Sequence, residues 1–403
     1  MRAHGWQLWS ELQGRWQHFV RSDVVFGQRD RVFRPLRPFR NGETIEAETL
    51  PVMFAVAFDP TAAAHIQRYA LGSRAVLRAI HAVPEFPRSA IALKLVWYPV
   101  HREGRTTLPI WDGDPVNPDA RGNPDRTWRR TVTIEPLSAG SAKGAAGGEV
   151  NAGSAKGAAG EEVNAGSAKG AAGEEVNAGS AKGAAGEEVK AAGEEVKAAG
   201  EKRSAARETE SAARETENAA REHGNAAGEG RGAIGSRVVP LDAFLHHAID
   251  SAEELAAART VAHDPSLVLG DYVVLLGMHV TTKEIPDWVW ATFWWHDRPD
   301  EGRFAEGRPA MLEGAASHYL MDVAYSAETP RESDGTPHAC MNPWLEARFP
   351  GGLHSNCLTC HQRAAFGAAS FLPVTRRALA ADDPYFAGKT TTDFLWTLAL
   401  EAR

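Results

Sequence analysis

The chain has 403 residues, of which 43% are apolar and 24% charged, with a formal net charge of −8. A mildly acidic balance with scattered Lys and Arg excludes a phosphate-backbone binder, which needs a concentrated basic face to release counterions. Only three cysteines occur, Cys340, Cys357 and Cys360, which excludes a framework of paired disulfides, and no run reaches the roughly 20 apolar residues that span a bilayer.

The opening MRAHGWQLWSELQGRWQHFV lacks the apolar stretch and small-residue cleavage site of a secretory signal. Further on, Ile91–Val100 reads as a strand, its far end closed by Pro99. Thr107–Trp111, after a turn at Gly104, is expected to return beside it as a hairpin, and Thr131–Ile134 is a further strand.

From 138 to 236 the composition collapses to Ala, Gly, Glu, Lys, Ser and Arg. Val150, Val163, Val176 and Val189 recur every 13 residues in AGSAKGAAGEEVN units, followed by the seven-residue units SAARETE, SAARETE and NAAREHG. Sparse valines, a single Ile234 and no aromatic residue cannot offset the entropy of ordering this stretch against a core. Glu210 to Arg214 and Glu217 to Arg221 support an exposed helix in the second half by a few tenths of a kcal/mol per pair. Glycine in the first half opposes helix by about 1 kcal/mol per residue. A solvated insertion, part frayed helix and part coil, is expected to hang from a loop between strands.

After the insertion, Pro240–Ile249 and Ala252–Arg259 are predicted helical. Asp271–Val280 and Trp288–Trp295 are predicted strands joined through Pro286; both are apolar on both faces, as in central strands covered from two sides. Four of the 12 tryptophans, Trp288, Trp290, Trp294 and Trp295, fall in one run. They read first as packing mass and second as a wall beside a flat cofactor. The predicted class is α+β, a β-sandwich-like sheet core with peripheral helices. Its core parts are 1–137 and 237–336, its insertion is 138–236, and 337–403 is a C-terminal helical haem c region.

Cys357-Leu358-Thr359-Cys360-His361 is a C-x-x-C-H motif. Thiols about one helical turn apart can add to the two vinyl groups of a single haem, and the adjacent imidazole then reaches the iron. The motif therefore points to one covalent haem c, held by Cys357 and Cys360, with His361 as proximal iron ligand. Ser355 is the expected N-cap, and Gln362–Phe366 is expected to continue the turn. Two other readings compete. A Cys3His zinc site would use Cys340, Cys357, Cys360 and either His354 or His361. A thioredoxin-like dithiol would need a βαβ pattern that is not present. A histidine directly after the second cysteine is required by haem and incidental to both alternatives. No Met follows His361, so any distal ligand comes from upstream: His279, Met341 or His354, then His338, Met278 or Met321. His279 leads because it sits in an otherwise apolar strand, where a histidine needs a partner; its plainer reading is a hydrogen-bonded core residue.

Ser355–Ala364 (SNCLTCHQRA), following Asn342–Glu346 (NPWLE), together with Gly277–Val280 and Trp288–Phe293, resembles a family of exported bacterial cytochrome c-like proteins. Members have a large non-haem portion and one C-terminal haem motif. The resemblance implies Cys357 and Cys360 as attachment points, His361 as proximal ligand, and a periplasmic or otherwise exported location. A secretory signal is accordingly expected upstream of the given start, and the long repeat departs from the family pattern. The expected function is single-electron transfer with a redox partner protein or a small-molecule donor or acceptor. A second expectation is a haem oxidoreductase with an open distal face and His279 or Glu284 as acid/base group. A third is a binding protein in which haem is ancillary.

Overall fold

A computed structural model describes residues 2–13, 15–28, 32–35, 51–111, 128, 130–137, 237–310, 312–331, 335, 337–346, 352–367, 378–380 and 382–403. The repeat at 138–236 lies outside the described residues. The described residues all belong to one compact unit, Met1–Ala155 with Ala233–Arg403.

The N-terminal part supplies helix α1 (Arg2–Gln13), strand β1 (Val20–Arg21), the single turn α2 (Ser22–Val25), strands β2 (Arg34–Pro35) and β3 (Met53–Phe58), and helices α3 (Pro60–Arg68) and α4 (Arg74–Ala79). The start of α3 follows from its sequence. Asp59 accepts hydrogen bonds from the Thr61 and Ala62 amides, and Pro60 occupies a first-turn position whose missing N–H is no loss. Then come β4 (Ile91–Val100), β5 (Thr106–Ile110), β6 (Arg130–Glu135), β7 (Arg237–Pro240), β8 (His246–Ala248) and α5 (Ala252–Ala262), the last capped by Ser251. The remainder holds β9 (Tyr272–Thr282), β10 (Val289–Trp295), β11 (Tyr319–Ala324), the turns α6 (Pro343–Glu346) and α7 (Cys357–His361), strands β12 (Ala365–Phe366) and β13 (Thr390–Thr391), and α8 (Trp396–Glu401).

The large sheet runs β1-β3-β4-β9-β10-β11, with β2 also on β3 and β8 also on β9, and its pairs are antiparallel. A mixed α+β architecture is thus observed. Directly opposed residues share a face, so the register sorts the side chains into rows. Leu95, Met278, Phe293 and Met321 form one row, and Leu93, Val280, Ala291 and Val323 the next. Helix α1 covers this face: Trp6 and Trp9 lie 5.5 and 4.7 Å from Phe293, centroid to centroid. The opposite face carries Lys94, His279, Thr292 and Asp322 in one row and Ala92, Thr281, Trp290 and Ala324 in the next. The C-x-x-C-H segment packs on this second face, where Trp290, Ala324, Cys340, Cys357 and Leu358 share one apolar cluster.

Three sequence expectations are corrected. Thr107–Trp111 does not return beside β4; β5 pairs antiparallel with β6 in a separate three-stranded sheet, and β7 lies parallel to β6. Pro240–Ile249 is not helical: it is the end of β7, a short 3-10 turn and β8. Its apolar spacing mimics a helix, but β10 leaves β9 unpaired beyond Gly277, and that edge recruits His246–Ala248 against Tyr272–Val274. The turn also places Phe244 flat on Trp295, 4.2 Å between centroids. Pro99 does not end its strand, since pairing continues through Val100.

The C-terminal segment is stitched to the N-terminal part. Thr390 Oγ1 donates to the Leu77 and Ile80 carbonyls, Thr391 bridges Ala82, the Phe86 amide donates to Asp393, and Gln28 donates to the Glu401 carbonyl.

Candidate functional site

The single turn α7 presents the motif. Its N-cap is Asn356, which accepts from the Leu358 amide at 2.9 Å. The expected cap, Ser355, instead donates to the Gly352 carbonyl. The helix stops at His361 and does not run on to Phe366, because Ala365 and Phe366 are drawn into β12 against β13. Among the described residues, Asn356 Nδ2 also donates to the His338 carbonyl at 2.9 Å, which ties the cap to the chain before Cys340.

His361 is oriented by the backbone. Its Nδ1 lies 2.8 Å from the Phe394 carbonyl, so Nδ1 carries the proton and donates it, and the lone pair is left on Nε2. Nε2 has no hydrogen-bond partner among the described residues. Burial pushes the imidazole down to about 3, with the Phe394 carbonyl opposing, so it stays neutral and able to ligate. Trp290 packs against the ring at 4.0 Å, and Trp396 Nε1 donates to the Cys360 carbonyl. The carbonyl that orients His361 sits on an unusual backbone. Asp393 and Phe394 both have positive φ, 45° and 68°. Such residues cost about 1–3 kcal/mol each and persist only when their surroundings fix them. Here Lys283, 1% exposed, donates to Asp393 Oδ1 at 2.6 Å and to the Pro286 carbonyl at 2.6 Å.

The two motif thiols differ. Cys357 is buried with its Sγ 3.8 Å from Cys340 Sγ, and the hydrogen bond with Cys340 together with His279 pulls it down to about 7 against the cost of burial. Cys360 is partly exposed, yet its surroundings push it up to about 12, chiefly through desolvation and then Glu346. Beneath them lies the polar row of the sheet. His279 Nε2 is 3.4 Å from Glu346 Oε1; burial works against its charge, but Glu346 and Cys357 outweigh that and raise it to about 9. Lys94, the neighbour of His279 across β4 and β9, is lowered by burial, with Glu346 the main opposing charge. Asn342 braces the segment leading to Glu346. It is fully buried, donates to Thr292 Oγ1 at 3.0 Å and to the Phe293 carbonyl at 2.8 Å, and accepts from the Trp344 amide at 3.1 Å. It fits because Gly277 has no side chain; a Cβ there would stand 2.8 Å from Asn342 Nδ2.

The distal candidates separate by face. Met278 and Met321 lie on the α1 side of the sheet, across from the motif, as strand alternation requires; both are corrected as candidates. Met341 is buried in the cluster that includes that side. His338 is bound to Asp322 at 3.1 Å, and His354 closes the short turn Gly352–His354. His279 is on the motif's face, and its buried Nδ1 has no hydrogen-bond partner. Glu284 sits in the turn after β9, paired with His4 at 2.9 Å and with Thr282; among the described residues it makes no hydrogen bond or ion pair to the motif. The tryptophans of β10 and its turn are at most 2% exposed, as packing mass would be, and Trp290 alone of the four also borders His361.

Sequence reasoning missed Lys94, Lys283 with Asp393, and the Phe394 carbonyl. Lys94 had a signal, a lone charge inside the apolar run IALKLVWYPV. Among the described residues, no group of three or more His, Cys, Asp and Glu side chains is gathered as a metal ion would need. Thiols at i and i+3 of one turn could hold a porphyrin through its vinyl groups, and His361 Nε2 could bind its iron. A cavity of about 40 Å³ between β3, β4 and the start of α5 contains none of the motif residues. No described helix is long and apolar enough to cross a membrane. Searches against protein-family models, curated proteins and solved structures find no match to this chain.

Proposed function

We propose that the chain is an exported monohaem c-type protein that passes single electrons, periplasmic or beyond, with Cys357 and Cys360 as thioether donors and His361 as proximal ligand. The observation that carries this reading is the state of His361. It directly follows the second cysteine, its Nδ1 proton is held by the Phe394 carbonyl, and its Nε2 lone pair is unengaged. A bound haem supplies one-electron chemistry at its iron. Around it, Phe394 fixes the imidazole's tautomer and makes Nε2 more basic, and Trp290 covers one face of the ring. Phe366, packed against the cluster that holds Cys357 and Leu358, adds apolar cover. His279 is the favoured distal ligand, since it stands on the motif's face and its buried Nδ1 lacks a hydrogen bond; Glu346 and Cys357 favour its charged form, so ligation would displace that proton.

The test is expression with export and haem-maturation machinery, followed by haem staining of denaturing gels and a pyridine haemochrome spectrum. The wild type is expected to retain stain. Cys357→Ser and Cys360→Ser should each shift the haemochrome band as one thioether is lost, and the double variant should lose the stain. A colourless wild type, or pigment extracted by acidified solvent, overturns the proposal. Low-spin spectra in both oxidation states support electron transfer. A high-spin ferric form that binds cyanide rapidly favours the enzyme reading, in which His279 acts on a substrate at an open face.

A further inference from the structure

Cys340 lies outside the C-x-x-C-H motif, yet it is the residue nearest in chemistry to Cys357. The backbones run side by side: Cys340 forms a parallel bridge with Asn356, and the Cys357 amide donates to the Cys340 carbonyl at 3.1 Å. The two sulfurs are already 3.8 Å apart, and both residues are buried, at 0% and 5% exposure. Among the described residues, the sulfur of Cys360, three residues on, is within hydrogen-bonding range of neither.

We propose that Cys340 and Cys357 form a reversible disulfide in the haem-free chain, making Cys340 the redox partner of the first motif cysteine. The reaction is exchange with a low-molecular-weight disulfide. The Cys357 thiolate attacks one sulfur of that oxidant and expels one thiolate, leaving a mixed disulfide on Cys357. The Cys340 thiol then loses its proton and attacks the Cys357 sulfur, expelling the second thiolate. Two protein thiols are oxidised by two electrons, one protein S–S bond forms, and one small disulfide is reduced to two thiols. The bond also controls the site. It ties the segment that leads into Asn342 and Glu346 to the start of α7, and it occupies the Cys357 sulfur that the proposed haem thioether needs. That last consequence rests on the haem reading; the disulfide itself does not.

The full-length chain is made without haem-maturation machinery, reduced, and then treated under native conditions with oxidised glutathione. Remaining thiols are alkylated, and the non-reduced digest is analysed by mass spectrometry. The expected product is a cross-linked peptide pair joining Cys340 to Cys357, with alkylated Cys360. Cys360→Ser should retain the cross-link, and Cys340→Ser should stop at glutathione on Cys357. A Cys357–Cys360 disulfide, three alkylated cysteines, or stable glutathionylation of wild-type Cys357 overturns the inference. Because Cys360→Ser keeps both reacting sulfurs, poor folding of the Cys340 variant leaves the test intact. Haem staining of the matured chain is read separately. A chain matured with its thiols kept reduced that takes no stain, while its haem-free form gives the cross-link, sinks the haem reading alone, and a stained protein whose haem-free form lacks the cross-link sinks this inference alone.

Discussion

Gly277→Ala tests the link between the large sheet and the candidate site. Gly277 lies in β9 with no positive φ, so an alanine backbone is acceptable there. The obstacle is Asn342, whose Nδ2, Oδ1 and Cγ atoms would stand 2.8, 2.9 and 3.2 Å from the new Cβ. Overpacking of this kind costs about 1–3 kcal/mol. If Asn342 moves away instead, it gives up bonds to Thr292, Phe293 and Trp344, and each buried group left unpaired costs about 1–3 kcal/mol. The reduced freedom of the unfolded alanine chain returns about 0.4–1 kcal/mol. The net expectation is a loss of about 2 kcal/mol, which at about 2–4 °C per kcal/mol for a large domain is a fall in Tm of about 4–8 °C. Thermal unfolding followed by tryptophan fluorescence measures it. In an Asn342→Ala background the clashing atoms are gone, and Gly277→Ala should be neutral or mildly stabilising. Equal losses in both backgrounds, or no loss in the wild type, would refute the reasoning.

Other expectations follow from buried groups. His296 is fully buried and pushed down to about 4 by burial first, with Arg130 and Arg298 adding and Asp297 opposing. The fold accepts its neutral form, so its contribution is complete above the unfolded value near 6.5 and is lost as pH falls toward 4, by about 3 kcal/mol in all. Urea midpoints of wild type and His296→Asn across pH 4 to 7.5 should therefore diverge least in acid; parallel profiles would count against it. Asp393→Asn keeps a residue that tolerates positive φ but strips the Lys283 ammonium of its close carboxylate, leaving Glu85 at 3.5 Å, itself 60% exposed. A loss of about 3 kcal/mol is expected, partly recovered when Lys283→Met is added, as calorimetry can check. Trp9→Ala empties a fully buried site against Phe293 and Tyr319 and should cost about 3–5 kcal/mol by chemical denaturation; a cost under about 1 kcal/mol would show that α1 does not anchor that face.

The strands β4, β9 and β10 were legible because a central strand is apolar on both faces, β6 because Val132 and Ile134 alternate with threonines, and α5 because Ala252–Arg259 is a run of helix formers. The β8 segment was not, since Leu241, Phe244, Leu245 and Ile249 repeat with helical spacing and only the vacant edge of β9 decides otherwise. Likewise Thr106–Ile110 reads as a strand, but nothing local says which sheet it joins. At the site the motif and His279 could be read from residue identity. The Phe394 carbonyl could not, because any residue has one. Nor could Lys283 and Asp393, which meet across a separation of 110 residues.

The stitching of the C-terminal segment onto residues 28–86 bears on how the motif can be used. Residues 337–403 expressed by themselves would lack Leu77, Ile80, Ala82 and Phe86, and would lack Lys283 to hold the backbone that aims His361. The C-x-x-C-H sequence is therefore not a portable cassette. Grafted onto another scaffold, its cysteines would travel, but the orientation of its imidazole would stay behind.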